Sequence, residues 1–222
     1  MKIRCSALGD IMTNPRSKSE EISKTALNKL IEIYIEERYD RSNEIFSKYL
    51  EKGIAVEEQS ITLLSQFDGR FYAKNEDNIQ NDWLTGTPDI ITDEVIDIKS
   101  SWDIFTFHRA KNADIDKSYY YQLMGYMDLT GLEKARLVYC LVDTPNHLIE
   151  SEKSRLAYKT GVDDRNELQK LEKQTEKMMR YSDIPIKERI HIFEIKRDNE
   201  VIDSIHERVE LCRKIYNQLK EQ

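Results

Sequence analysis

Residues 86–100 read Gly-Thr-Pro-Asp-Ile-Ile-Thr-Asp-Glu-Val-Ile-Asp-Ile-Lys-Ser. The stretch Glu94–Ser100 predicts a short strand, entered through a tight turn at Thr92-Asp93 from a preceding strand over Trp83–Ile91. Successive side chains of a strand point to opposite faces. Asp97 and Lys99 therefore share one face, and Ile96 and Ile98 share the other, which belongs to a core. Where the two strands pair through the turn, Asp89 reaches the same polar edge. Two carboxylates and an ammonium then converge on one spot.

On either side of this stretch the apolar period changes several times. Residues 19–38 predict a helix with Ser19 as N-cap, Glu20 and Glu21 in its first turn, and an apolar stripe of Ile22, Leu27, Leu30, Ile31 and Tyr34. A second helical pattern runs from Asn43 to Gln66, and a third from Ser118 to Leu129. Ala135–Val142 is a continuous apolar run, as expected of a central strand covered on both faces. Residues 150–180 are polar and helical in pattern, and Arg189–Lys196 alternates as a strand does. Ile202, Ile205, Val209, Cys212, Tyr216 and Leu219 recur in steps of three and four, the mark of an amphipathic helix. The order predicts an α/β protein with a central mixed β-sheet flanked by helices. Its 222 residues suit a single domain spanning 1–222.

Composition narrows the class. The chain is 39% hydrophobic and 34% charged, with only 7 Gly and 4 Pro, as in soluble α/β proteins. No run of about 18 apolar residues is present, so no membrane span is expected. The start, Met-Lys-Ile-Arg-Cys, lacks the apolar core of a signal peptide. Cys5, Cys140 and Cys212 are far apart, odd in number and without a CxxC pair. That pattern speaks against a zinc knuckle or an iron–sulfur cluster and points to a reducing, cytoplasmic location. The net charge of −7 disfavours tight nonspecific binding of nucleic acid. Acidic residues concentrate in Glu20–Glu58 and Glu150–Glu176, on helical faces, which leaves room for a local cationic groove elsewhere.

The convergent carboxylates suit Mg²⁺, which takes one or two protein carboxylates and completes its shell with waters and a substrate phosphate. Such an ion lowers the pKa of bound water and stabilises charge on a transferring phosphate. Lys99 would orient or deprotonate the attacking water. The bland alternative is a solvated strand face with a weak ion pair, beside a common turn. Two features favour chemistry. On a helical wheel Ile54, Ile61 and Leu64 form an apolar arc that contains Glu57, and a carboxylate there is costly unless it is paired or binds metal. A buried salt bridge is the competing explanation. Gly53, on the same side, would let the helix approach a neighbour closely. The second feature is Gln122 with Tyr126, four apart and so on one helical face. Packing accounts for the adjacent Tyr119-Tyr120-Tyr121 but not for Gln122.

Gly53-x-x-x-Glu57, Gly86-Thr87-Pro88-Asp89, Asp97-Ile98-Lys99 and Gln122-x-x-x-Tyr126 occur in the order of the RecB-like branch of PD-(D/E)xK nucleases. The set resembles most the lambda-exonuclease-type, YqaJ-like viral recombinases. The segment Cys5-Ser6-Ala7-Leu8-Gly9-Asp10-Ile11-Met12, followed by Asn14-Pro15-Arg16, resembles that group's opening. The resemblance spans 1–145, and 146–222 carry no recognised motif. It implies a restriction-endonuclease-like core, with Asp89 and Asp97 as metal ligands and the Ile98 carbonyl completing the site. It also implies that Glu57 binds metal directly or through water. Lys99 would act on the nucleophile, Gln122 would hold Lys99 or the scissile phosphate, and Tyr126 would support the site. Ser6 matches a position that contacts a terminal 5′ phosphate. The arginine that precedes this serine in the family has no counterpart here, leaving Arg4, Arg16 or Lys18 as substitutes.

The implied activity is Mg²⁺-dependent hydrolysis of DNA, with Mn²⁺ able to substitute, by a 5′→3′ exonuclease acting on duplex ends. The implied setting is phage-type recombination in a bacterial cytoplasm, with a single-strand annealing protein as partner and a homo-oligomeric assembly. An endonuclease of the same fold and a non-catalytic DNA-binding protein are the alternatives. Intact Asp89, Asp97 and Lys99 argue against the second. Trp102, Phe105, Phe107 and His108, with Arg109 and Lys111 beyond, either grip DNA by stacking and phosphate contacts or pack a loop onto the core. His147, His191 and His206 have no metal-ligand spacing and are expected to be structural or exposed.

Overall fold

The computed structural model describes residues 1–43 and 47–221. The chain opens with β1 (Ile3–Arg4), a 3-10 turn (Cys5–Ala7) and α1 (Leu8–Ile11), then α2 (Lys24–Tyr39), α3 (Lys48–Ala55) and α4 (Glu57–Asp68). Next come β2 (Ile79–Gln80), β3 (Leu84–Gly86), β4 (Ile90–Ile91), β5 (Val95–Ser100), α5 (Ile104–Lys111), α6 (Lys117–Thr130) and β6 (Lys134–Cys140). It closes with α7 (Asn146–Thr160), α8 (Arg165–Met178), β7 (Ile190–Lys196) and α9 (Asn199–Lys220).

One sheet has the order β4-β5-β6-β7. β5 and β6 run parallel, with Asp97 opposite Leu137 and Lys99 opposite Tyr139, while β4 and β7 are antiparallel to their neighbours. The sheet is therefore mixed, as expected. A smaller sheet, β1-β3-β2, carries the N-terminal segment. Ile96 and Ile98 of β5 pack with Val56, Ile61 and Leu64 on one face of the larger sheet. On the opposite face Val95, Ala135 and Leu137 meet Leu123, Met124 and Met127 of α6 and Ile205 of α9. Each fully buried Val, Leu, Ile or Met among them contributes about 1.5–3 kcal/mol. A one-residue slip of β5 would exchange these faces, so covering both of them fixes where Asp97 and Lys99 point.

Four expectations need correction. The strand expected over Trp83–Ile91 is two strands, β3 and β4, in different sheets. Pro88 lies between them, and having no N–H it cannot continue a ladder. The first long helix starts at Lys24, not in the turn after Ser19. Ser23 is its N-cap, accepting from Ala26 N at 2.9 Å, while Ser19 bonds Ser17 in the preceding loop. The pattern from Asn43 to Gln66 is broken at Val56 (φ −114°, ψ 11°) into α3 and α4, and its residues 44–46 lie outside the described residues. Finally, a Cβ on Gly53 would meet nothing within 4 Å, so no neighbour approaches closely there. Residues 150–180 are helical as expected, forming most of α7 and α8.

Candidate active site

The strand parity of β5 turns Asp97 and Lys99 toward a cavity of about 580 Å³ that Ile98, Asp89, Glu57 and Gln122 also line. β4 stops pairing with β5 at Ile96, so the N–H of Ile98 has no strand partner there. It donates instead to Asp89 Oδ2 at 2.6 Å. This bond draws the Pro88-Asp89 segment against β5 and brings the two carboxylates together. Lys99 Nζ lies 2.7 Å from Asp97 Oδ2. From α6, Gln122 Nε2 donates to Asp97 Oδ1 at 3.2 Å and to Tyr126 Oη at 3.0 Å. Tyr126 Oη in turn donates to the Thr87 carbonyl at 3.4 Å. Gly86 makes this possible, since a Cβ there would stand 2.6 Å from the Tyr126 ring.

Asp97 is only 2% exposed. Its Oδ2 is met by the Lys99 ammonium at 2.7 Å, and its Oδ1 accepts from Gln122. A buried carboxylate is tolerable when a cation and a hydrogen-bond donor meet it in this way. Burial, and then the Asp97 charge, push the Asp89 carboxyl up to about 7, against the pull of the Ile98 N–H and Lys99. Burial works to lower the Lys99 pKa, but Asp97 and then Asp89 outweigh it and the net direction is upward. Lys99 therefore keeps its proton in this setting.

Glu57 opens α4 at the cavity wall and pairs with Lys74 at 2.8 Å, the two side chains 26% and 39% exposed. The apolar arc expected around it does not exist, because the break at Val56 separates it from Ile54, which is 68% exposed. Glu57 is neither deeply buried nor free. Among the described residues no three His, Cys, Asp or Glu side chains gather closely enough to hold an ion unaided. Two carboxylates lining one cavity still fit Mg²⁺, whose remaining positions go to water and phosphate.

The remaining candidates fall away from this centre. Ser6 on the 3-10 turn, Arg16 after α1, and Arg109 and Lys111 on α5 are exposed, and none of them lines the cavity. Arg4 is tied to Glu36 at 3.1 Å. The aromatic run divides: Phe107 is core, Trp102 stacks edge-to-face with Tyr49, and Phe105 is exposed. His147 contacts Glu51, and His206 contacts Asp128 while stacking on Trp83. Two residues are visible only in the structure. Lys52 is fully buried and donates to the Trp102 carbonyl at 2.8 Å, with burial lowering its pKa to about 8. Tyr119 lies beneath Lys99, with Nζ 4.8 Å from its ring centroid. Nothing in local periodicity marks a lysine as buried, and Tyr119 sits in a run of three tyrosines for which packing is explanation enough.

A mixed sheet with helices on both faces and the cavity at the end of β5 fits the restriction-endonuclease-like exonuclease fold. A phage-related exonuclease from Haemophilus somnus 129PT is similar over 100% of this chain and 96% of its own, with 30% sequence identity and a TM-score of 0.78. The chain belongs to that family of phage-related, lambda-exonuclease-type proteins. An alkaline exonuclease from Laribacter hongkongensis shares the fold at 14% identity, covering 99% of this chain and 90% of its own with a TM-score of 0.68. Its complex with dAMP aligns at 16% identity over the same shares, with a TM-score of 0.66. No family model and no curated protein matches the chain.

Proposed function

We propose that the chain is a Mg²⁺-dependent deoxyribonuclease that hydrolyses phosphodiesters from the ends of duplex DNA in the 5′→3′ direction. The observation that carries this reading is the single cavity lined by Asp89, Asp97 and Lys99. The likeness to an exonuclease over nearly the full length of both chains supports attack at ends.

Asp89 and Asp97, with the Ile98 carbonyl and Glu57, would hold Mg²⁺, and Mn²⁺ would substitute. The bound ion supplies a water of lowered pKa and neutralises phosphate charge. Lys99, holding its proton at Nζ, presents N–H donors to the attacking water or to a phosphate oxygen. Gln122 fixes Asp97 through Oδ1, while Lys99 meets its Oδ2. Tyr126 ties the same helix to the Thr87 carbonyl and so to the segment bearing Asp89. Exposed Arg16, Arg109 and Lys111 supply phosphate contacts along the duplex, and Ser6 meets a terminal phosphate. A homo-oligomer and a single-strand annealing partner in a bacterial cytoplasm belong to the same reading.

The test is incubation of 5′- and 3′-labelled linear duplex beside a closed circle, with Mg²⁺ or with EDTA. Mg²⁺-dependent digestion of the linear form alone, with early release of the 5′ label, is the expected result. Cutting of the circle would assign an endonuclease, and a mobility shift without cutting a binding protein.

A further inference from the structure

Three side chains of α6 reach the site from one stripe. Tyr119, Gln122 and Tyr126 stand at i, i+3 and i+7, neighbouring positions on a helix, and all line the cavity. Gln122 serves Asp97, and Tyr126 serves the Thr87 carbonyl. Tyr119 faces Lys99, whose Nζ lies over its ring at 4.8 Å from the centroid. Tyr120 and Tyr121 instead pair with each other edge-to-face, their centroids 5.9 Å apart.

A lysine ammonium is a compact charge on a flexible four-carbon stem and has no fixed position of its own. Here it is bracketed by Asp97 Oδ2 at 2.7 Å and the Tyr119 ring. A ring face attracts a cation through its quadrupole. Unlike a second carboxylate, it brings no negative charge into a cavity that must receive a phosphate. The ring is itself braced. Tyr139 of β6 meets it edge-on at 6.4 Å, and Phe193 of β7 meets Tyr139 at 6.2 Å.

We propose that Tyr119 is a positioning residue for Lys99, its ring face holding the ammonium where it meets the reacting phosphodiester. This rests on the hydrolytic reading of the site. The experiment measures kcat, KM and melting temperature on end-labelled duplex with Mg²⁺. The proteins compared are the parent, Tyr119→Phe, Tyr119→Leu and pentafluorophenylalanine at position 119, with Asp97→Asn as control. Tyr119→Phe keeps the ring face and is expected to stay within about twofold of the parent kcat. Tyr119→Leu should lower kcat about tenfold, equal to about 1.4 kcal/mol, and leave KM within about twofold. The fluorinated ring keeps the shape of Phe but reverses the charge of its face. It should fall at least as far as Leu with an unchanged melting temperature, which decides the matter even where Leu disturbs folding. Parental kcat in Tyr119→Leu, a fluorinated variant as fast as Phe, or a Phe variant as slow as Leu would each overturn the proposal. Asp97→Asn separates the two levels. Should it cleave normally, the hydrolytic reading itself fails. Should it be inactive while the Tyr119 variants cleave normally, only the role of Tyr119 fails.

Discussion

Asp89→Asn probes the electrostatics of the site without reference to turnover. In the folded chain the Asp89 carboxyl is raised from 3.8 to about 7. Below pH 4 both folded and unfolded chains hold the proton, and the site costs nothing. As pH rises the unfolded chain releases its proton first, so stability falls between about pH 4 and pH 7 and the full penalty applies above that window. Carrying a carboxyl from 3.8 to about 7 corresponds to about 4 kcal/mol. That figure is a ceiling, because Asp89 is only half-buried and meets water through the cavity. An asparagine side chain in its place would keep an oxygen for the Ile98 N–H and never ionise. In EDTA at pH 8 the variant is therefore expected to be more stable than the parent by up to about 4 kcal/mol. At about 2–4 °C per kcal/mol for a chain of this size, its melting temperature should rise by up to about 16 °C. At pH 5 the gain should shrink to about a third. Calorimetric or circular-dichroism melts of both proteins at the two pH values decide it. A variant that melts below the parent at pH 8, or a gain that does not shrink at pH 5, refutes the reasoning.

Other substitutions have distinct signatures. Asp97→Asn should move stability the opposite way, because it strands Lys99. With that side chain a quarter exposed, the loss is expected to be about 1–3 kcal/mol in melts at pH 8, and cleavage should be abolished. Lys99→Ala should lower kcat by a factor of about 100 or more while calorimetric Mg²⁺ affinity changes little; loss of affinity as severe as in Asp97→Asn would reassign the lysine. Glu57→Gln should change stability by less than about 1 kcal/mol, since its Lys74 partner is well exposed, yet reduce cleavage by orders of magnitude. A Glu57→Gln protein that melts early and cleaves normally would place Glu57 in the scaffold.

What could be read from the sequence was what depends on near neighbours alone. The facing of Asp97 and Lys99 follows from strand parity, which no tertiary contact alters, and the structure keeps it. The same holds for Gln122 and Tyr126 on α6. Glu57 shows the limit. Its wheel assumed a helix continuous from Ile54, and the break at Val56 resets the phase. The requirement for glycine at position 86 comes from a ring 40 positions along the chain, beyond any local pattern. The N-terminal segment escaped for a similar reason. β1 is only two residues long and exists because Ile3 pairs with Leu84. Cys5 then fits beside Gly86 and Gly125, where a Cβ would approach its sulfur to 3.2 and 2.9 Å.

The electrostatic imbalance ties these elements together. Lys99 sits against Asp97 and can offset one of the two carboxylates that share the cavity floor. Lys74 is taken by Glu57, at the surface. One negative charge beside Asp97 is therefore left without a cation of its own, and with burial as the larger cause it holds Asp89 up at about 7. A fold selected for stability alone would lose little by neutral residues there, since an uncompensated charge costs more than a well-packed apolar side chain gains. Below pH 7 a proton can remove the charge. Above it a divalent cation can, and on the proposed reading that ion takes the proton's place. The cost to the metal-free chain is then also the source of its affinity. Mg²⁺ should raise the melting temperature more at pH 8 than at pH 5, and Asp89→Asn should abolish the difference.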